Sequence, residues 1–203
     1  MKGELGGWAT RQRTNLALLR AHRGNIPCGI GANGTPTSLF ILGPGRSGKS
    51  TMEKLVGTLD GIKQGYENPV VENALERTLR TGSFIDRLPA RLHSIFRDNY
   101  REELAQRTGS AKVFINTNSG LVHRALLMAM VCPNVRFLCM KRDLEDNLLR
   151  IYMKDWRINP QTYDLRATRD FITWYHQMMD LLFPQIVCVV HYENMVTDPA
   201  GTL

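Results

Sequence analysis

Leu39-Phe40-Ile41-Leu42-Gly43-Pro44-Gly45-Arg46-Ser47-Gly48-Lys49-Ser50-Thr51 is the stretch on which the reading of this 203-residue chain turns. Four apolar residues suited to a buried strand run into a turn with three glycines, and a cation and two hydroxyls follow where a helix opens. Such a turn aims backbone N–H groups at a common point, and the positive end of the helix dipole adds to them. The segment is therefore an anion cradle before any side chain is counted. Gly43, Gly48, Lys49 and Ser50 also satisfy the Walker A spacing.

Outward from this turn, strand and helix patterns alternate. Residues 38–42 read as a strand and 49–59 as the helix it feeds, with helices over 68–80 and 89–107 and a short strand at 112–116. A helix over 120–131 stops at Pro133, a strand follows at 135–140, helices cover 143–153 and 166–182, and the last strand is 186–191. This order predicts an α/β fold: a three-layer, P-loop NTPase-like domain with a mostly parallel central sheet and its ligand at the strands' carboxyl ends. Upstream, Leu16, Leu18 and Leu19 amid cations predict a short surface helix over 10–23, and the glycines, prolines and asparagines of 24–37 predict a linker. Residues 1–37 are thus expected to precede a domain over 38–203. Asp198-Pro199 is an N-cap followed by proline at the first helical position, but a helix starting there has one turn of chain. The expectation is that a C-terminal part is missing.

The formal charge of +7 favours an anionic partner. Across 76–107 the arginines are interleaved with acids, which predicts a solvated helical face and no nucleic-acid stripe. Cys28, Cys132, Cys139 and Cys188 lack C-x-x-C spacing, and the last three sit in apolar runs, as buried reduced thiols would. The start of the chain lacks the apolar core of a signal peptide, and residues 121–140 are interrupted by His123, Arg124, Pro133 and Arg136. No membrane span and a cytoplasmic setting are expected. Trp174, Tyr175, Met178, Leu181 and Leu182 recur at helical spacing beside Phe171 and read as core; His93, His123 and His191 read as structural.

If the cradle held Mg-ATP, Ser50 would ligate the metal and a second strand would end in Asp. Residues 112–116 end in Asn116, and 135–140 lead into Lys141-Arg142. Positive charge at that edge calls for a second anionic group on the ligand, and no metal is expected.

At this point the chain resembles the sulfotransferases that use 3′-phosphoadenosine-5′-phosphosulfate (PAPS), most closely their bacterial repeat-associated and tyrosylprotein-type branch. Gly43-Pro44-Gly45-Arg46-Ser47-Gly48-Lys49-Ser50-Thr51 looks like the 5′-phosphosulfate loop, usually G-x-P-R-S-G-T-T. Residues 137–152, with Arg142-Asp143, look like the 3′-phosphate segment, a strand followed by R-D-P-x-D-x-x-L-S-x-Y; Tyr192-Glu193-Asn194-Met195-Val196-Thr197-Asp198-Pro199 looks like the later Y-E-D-L-V-x-D-P stretch. The resemblance implies sulfuryl transfer from PAPS to a hydroxyl of a sugar, peptide tyrosine, lipid or small metabolite. It implies that Gly45, Arg46, Ser47, Gly48, Lys49, Ser50 and Thr51 bind the phosphosulfate, with Arg46 also on the leaving phosphate. It implies that Arg142 holds the 3′-phosphate. Glu67, 21 residues after Arg46, lies near the position of the branch's catalytic glutamate and is the candidate base. Three positions depart from the pattern. Lys49 replaces Thr, Pro44 comes one place early, and Arg150 replaces a serine that helps hold the 3′-phosphate. Lys49 keeps a Mg-ATP-dependent small-molecule kinase open as an alternative, and Arg150 a degenerate nucleotide-binding fold.

Overall fold

The structure, a computed structural model, describes residues 2–21, 35–79, 88–132, 134–154, 164–182 and 187–203. Cys28, the helix stop at Pro133 and most of the expected 24–37 linker lie outside these residues.

Five strands form one sheet in the order β2-β3-β1-β4-β5, with every pairing parallel: β1 (Thr37–Leu42), β2 (Ile62–Lys63), β3 (Val113–Asn116), β4 (Val135–Lys141) and β5 (Val187–His191). β1 lies at the centre because its apolar run is buried on both faces, and the side chains split with the period of two that strands impose. Phe40 and Leu42 of β1, Phe114 of β3 and Phe137 and Cys139 of β4 enter one core. Ile41, Ile115, Leu138 and Met140 enter the other.

The first core is closed by α1 (Lys2–Ala21), α3 (Val70–Leu79), α4 (His93–Thr108), α5 (Ala125–Val131) and α7 (Leu165–Leu181). The second is closed by α2 (Lys49–Val56) and α8 (Tyr192–Thr197), through Met52, Val56 and Met195. The α6 helix (Leu144–Tyr152) packs on α7 through Leu148, Ile151 and Ile172. Helix, sheet, helix: the expected three layers are present. The Trp174 to Leu182 stripe is core, as its spacing predicts.

Some expectations change. The helix placed on the surface by its cations is longer and docked: α1 buries Leu19 and Asn15, and the Trp174 indole donates to the Gln12 carbonyl at 3.1 Å. A weak apolar stripe sufficed because α7 offers an aromatic face to receive it. Cys188 is exposed on the edge strand, unlike the buried Cys132 and Cys139, because no strand covers that side among the described residues. The two-residue β2 was too short to show a period, and α8 went unread inside the Tyr192 stretch. The terminal turn α9 (Pro199–Thr202) forms as expected, with the Asp198 carboxylate accepting from the Gly201 N–H at 2.9 Å.

On the α3–α4 face, Arg77 pairs with Glu102 and Glu103, and Arg107 with Glu103; Glu102 is exposed as an interleaved solvated face requires, but Glu103 is buried between the two arginines and Asn73. No helix among the described residues is long and apolar enough to cross a membrane.

Candidate active site

The turn after β1 stands at the carboxyl edge of the sheet, between β3 and β4. Gly48 caps α2 in the left-handed region (φ 100°) with no side-chain cap, and no acid stands in the first turn. The leading N–H groups of α2 are thus left for an anion. Arg46 also adopts positive φ (62°), a conformation costly for a residue that carries a Cβ and held here by its surroundings. At Gly43 a Cβ would lie 2.9 Å from the Met140 carbonyl and collide with Ser47 Oγ, so only glycine lets the loop sit this close to β4. Ser47 Oγ is buried without a hydrogen-bond partner among the described residues, while Ser50 and Thr51 are exposed.

A single core hydroxyl props the loop. Tyr175 of α7 accepts from the Gly43 N–H at 3.1 Å and donates to the Ser119 carbonyl at 2.9 Å. Its helical spacing marked Tyr175 as core, but nothing local could show that its oxygen reaches the loop. Tyr175→Phe strands the buried Gly43 N–H and a half-buried carbonyl, so chemical denaturation should show a loss of about 1–3 kcal/mol.

Lys49 is buried, and its ammonium donates to the Gly43 and Pro44 carbonyls, both at 2.9 Å. Burial lowers its pKa to about 8, and the Glu67 carboxylate works the other way. A lysine depressed in the folded state binds fewer protons there than in the unfolded chain between about pH 8 and its ordinary value, so this group makes stability rise with pH across that window. The raised tyrosine and thiol groups, Tyr100, Tyr175, Cys132 and Cys139, act oppositely at the alkaline end. The wild-type-minus-Lys49→Met difference isolates the lysine: relative to the variant, the wild type should gain roughly 2–3 kcal/mol between pH 7.5 and 10 by urea unfolding. A flat difference would mean that the ammonium is not desolvated.

Beside the loop, β4 delivers Arg142, which is buried. It donates to the Arg46 carbonyl at 3.0 Å and to the Asp146 carboxylate, and its guanidinium lies 3.8 Å from the centre of the Tyr192 ring. Asp146 also accepts from Arg150 at 3.0 Å. Partial burial pushes the Asp146 carboxyl up, but the two guanidinium bonds outweigh it and hold the pKa below the ordinary carboxylate value. Asn147 donates to the Gly45 carbonyl at 2.8 Å. Asp143 caps α6 through the Glu145 and Asp146 N–H groups, and Glu193 accepts from the Asp143 N–H at 2.9 Å. The three stretches that carried the resemblance thus bond to one another. Lys141, by contrast, pairs with Asp180 and stays out of the pocket.

Glu67 stands on a turn built by buried polar groups. Glu53 Oε1 of α2 accepts from the Gly65 and Tyr66 N–H groups at 3.0 and 2.8 Å, and Asn68 donates to the Ile115 carbonyl at 3.3 Å. Asn116, which ends β3 where a metal-binding Asp would stand, instead donates to Asn68 Oδ1 at 2.9 Å. Tyr66 takes positive φ (53°) in consequence. Burial raises the Glu53 carboxyl above its ordinary value, against the lowering pull of its two N–H bonds. Glu53 follows Lys49 by one helical turn, the one signal that could have marked it.

These elements enclose a pocket of about 290 Å³. The loop contributes Gly45, Arg46, Gly48, Lys49, Ser50 and Thr51, and Glu67, Arg142 and Arg150 close it, joined by Ser119, Lys154 and Tyr192, which the sequence reading did not assign. Of the expected site residues, Ser47 alone sits beneath the lining. Five cationic side chains face one carboxylate, a field suited to a ligand with several negative charges. Among the described residues no group of three His, Cys, Asp or Glu side chains is placed to hold a metal ion.

The fold is shared with solved sulfotransferases. That from Alicyclobacillus acidocaldarius matches with TM-score 0.53 at 16% identity, over 82% of this chain and 76% of its own. Sulfotransferase STF9 from Mycobacterium avium matches with TM-score 0.53 at 11% identity, over 83% of this chain and 62% of its own. The sulfotransferase domain from the curacin biosynthetic pathway matches with TM-score 0.50 at 11% identity, over 82% of this chain and 71% of its own. No protein of curated function matches the sequence. The family model described as the sulfotransferase family matches residues 36–203, the whole span that carries the loop, the Arg142 segment and the Tyr192 stretch, and the chain belongs to that family.

Proposed function

We propose that this chain transfers a sulfuryl group from PAPS to a hydroxyl of its acceptor. The observation that carries the reading is the single pocket shared by the anion loop, the Arg142–Asp146–Arg150 cluster and Glu67. One end offers backbone N–H groups, Lys49, Ser50 and Thr51 for a phosphosulfate. The other offers two guanidiniums, Arg142 and Arg150, for a second phosphate.

In the transfer, the bond between sulfur and the acceptor oxygen forms as the bond between sulfur and the phosphate oxygen breaks, and the electron pair leaves on 3′,5′-adenosine bisphosphate. Arg46 and Lys49 neutralise charge growing on that phosphate, the role electrostatic preorganisation plays in acyl and phosphoryl transfer. Glu67 takes the acceptor proton. Arg150 supports the 3′-phosphate end through Asp146 in place of the family's serine. The kinase alternative is disfavoured by Asn116 and Lys141 at the strand ends flanking the loop. A cytoplasmic setting suits the free thiols of Cys132 and Cys139.

Thermal shift tests the reading. 3′,5′-Adenosine bisphosphate in EDTA, at a hundred times its dissociation constant, should raise Tm by about 5–10 °C, with ATP and Mg much less effective. The reverse ranking would sink the transfer reading, and no shift with either would support a degenerate fold.

A further inference from the structure

The inward face of α6 follows an apolar stripe, with Leu144, Asn147, Leu148 and Ile151 at i, i+3, i+4 and i+7. Leu148 and Ile151 pack through it on Ile172 of α7, and Leu144 joins them. One position breaks the pattern. Asn147 is an amide where the stripe calls for an aliphatic side chain; it is fully buried, and its Oδ1 has no hydrogen-bond partner among the described residues. A buried polar atom in that state costs free energy, so the packing of α6 does not account for the residue. Its other end does: Asn147 Nδ2 donates to the Gly45 carbonyl at 2.8 Å.

The next carbonyl along the loop, that of Arg46, accepts from Arg142 at 3.0 Å. The Gly45 carbonyl belongs to the peptide plane that enters Arg46, and the Arg46 carbonyl to the plane that leaves it. The φ and ψ of Arg46 are the only soft rotations between those two planes. Two bonds from residues 142 and 147 therefore fix both angles, and with them the direction of the Arg46 Cα–Cβ bond. This accounts for a φ of 62° at a residue that ordinarily avoids it. Arg46 is exposed and lines the charged pocket, so the clamp sets where its side chain enters that pocket.

We propose that Asn147 is a positioning residue for the transfer: by holding the Gly45 carbonyl it clamps the tip of the phosphate loop and aims Arg46 at the leaving phosphate. The proposal rests on the transfer reading above. Asn147→Val fills most of the amide's space and Asn147→Ala leaves a gap, and neither can donate, so an effect common to both is the loss of the donor. Single-turnover cleavage of PAPS is the probe, with water in place of the acceptor: water oxygen joins sulfur as the bond from sulfur to the phosphate oxygen breaks, giving sulfate and 3′,5′-adenosine bisphosphate. Its maximal rate should fall about 10–100-fold, with the half-saturating PAPS concentration within about threefold of wild type. Trypsin reads the clamp without any transfer: cutting after Arg46, followed by mass spectrometry, should quicken about tenfold, with cutting after Lys54 and Arg150 unchanged. Unchanged cutting after Arg46 in both variants would overturn the proposal. Faster cutting at all three sites would also overturn it, making Asn147 a support of the whole fold, as would a rate loss explained by weaker PAPS binding alone. A wild type that neither cleaves PAPS nor is stabilised by 3′,5′-adenosine bisphosphate would instead strike the transfer reading, and the trypsin comparison would still decide the clamp. Two variants are used so that misfolding of one leaves the other as the test.

Discussion

Glu67→Gln is expected to lower turnover roughly 10²–10⁴-fold while nucleotide binding is kept or tightened. Glutamine fills the same space and keeps the turn that Glu53 and Asn68 hold, so the change removes the capacity to accept a proton and, with it, one negative charge. Glu67 is the one carboxylate lining a pocket with Arg46, Lys49, Arg142, Arg150 and Lys154. Neutralising it deepens the positive field, which is why the bisphosphate should bind at least as well. Single-turnover rates with PAPS, beside the thermal shift with the product nucleotide, check both halves. Turnover within tenfold of wild type would place the base elsewhere, and loss of nucleotide binding would make Glu67 a support of the loop.

Arg142→Ala is expected to have the second largest effect, and it acts on selectivity. The guanidinium is buried, fixed by Asp146 and by the Arg46 carbonyl, and stacked on Tyr192, so its position is determined before any ligand arrives. Hydrogen bonds to a charged group contribute about 1.5–3 kcal/mol, so 3′,5′-adenosine bisphosphate should weaken about 10–150-fold more than adenosine 5′-monophosphate. Arg142→Lys keeps the charge and loses the fork, and should fall between. Equal weakening of the two nucleotides would mean that Arg142 holds the Arg46 carbonyl and not a 3′-phosphate.

Much of this site was legible in the sequence because its signals are local. The run from Leu39 to Thr51 carries its strand, turn and helix start within thirteen residues, and Arg142-Asp143 carries a strand end and an N-cap side by side. Arg150 was legible as a position but not as a contact: whether it joined or left the site depended on Asp146, one helical turn away, accepting from both arginines. Lys49 completed a pattern in the sequence, and only its neighbours show it turned back onto the carbonyls of its own loop.

By itself the sequence determined the layer architecture, the cradle and the sign of its charge, since apolar period, glycine placement and residue type act over a few neighbouring positions. The tertiary structure decided the rest. Tyr175, 132 positions from Gly43, props the loop; Glu53 shapes the turn that carries Glu67; and α1, whose cations argued for solvent, closes an apolar chamber against α5 and α7. The physical reason is that a buried N–H, carboxylate or leucine is satisfied by whichever group the fold brings to it, and that group need not be near it in the chain.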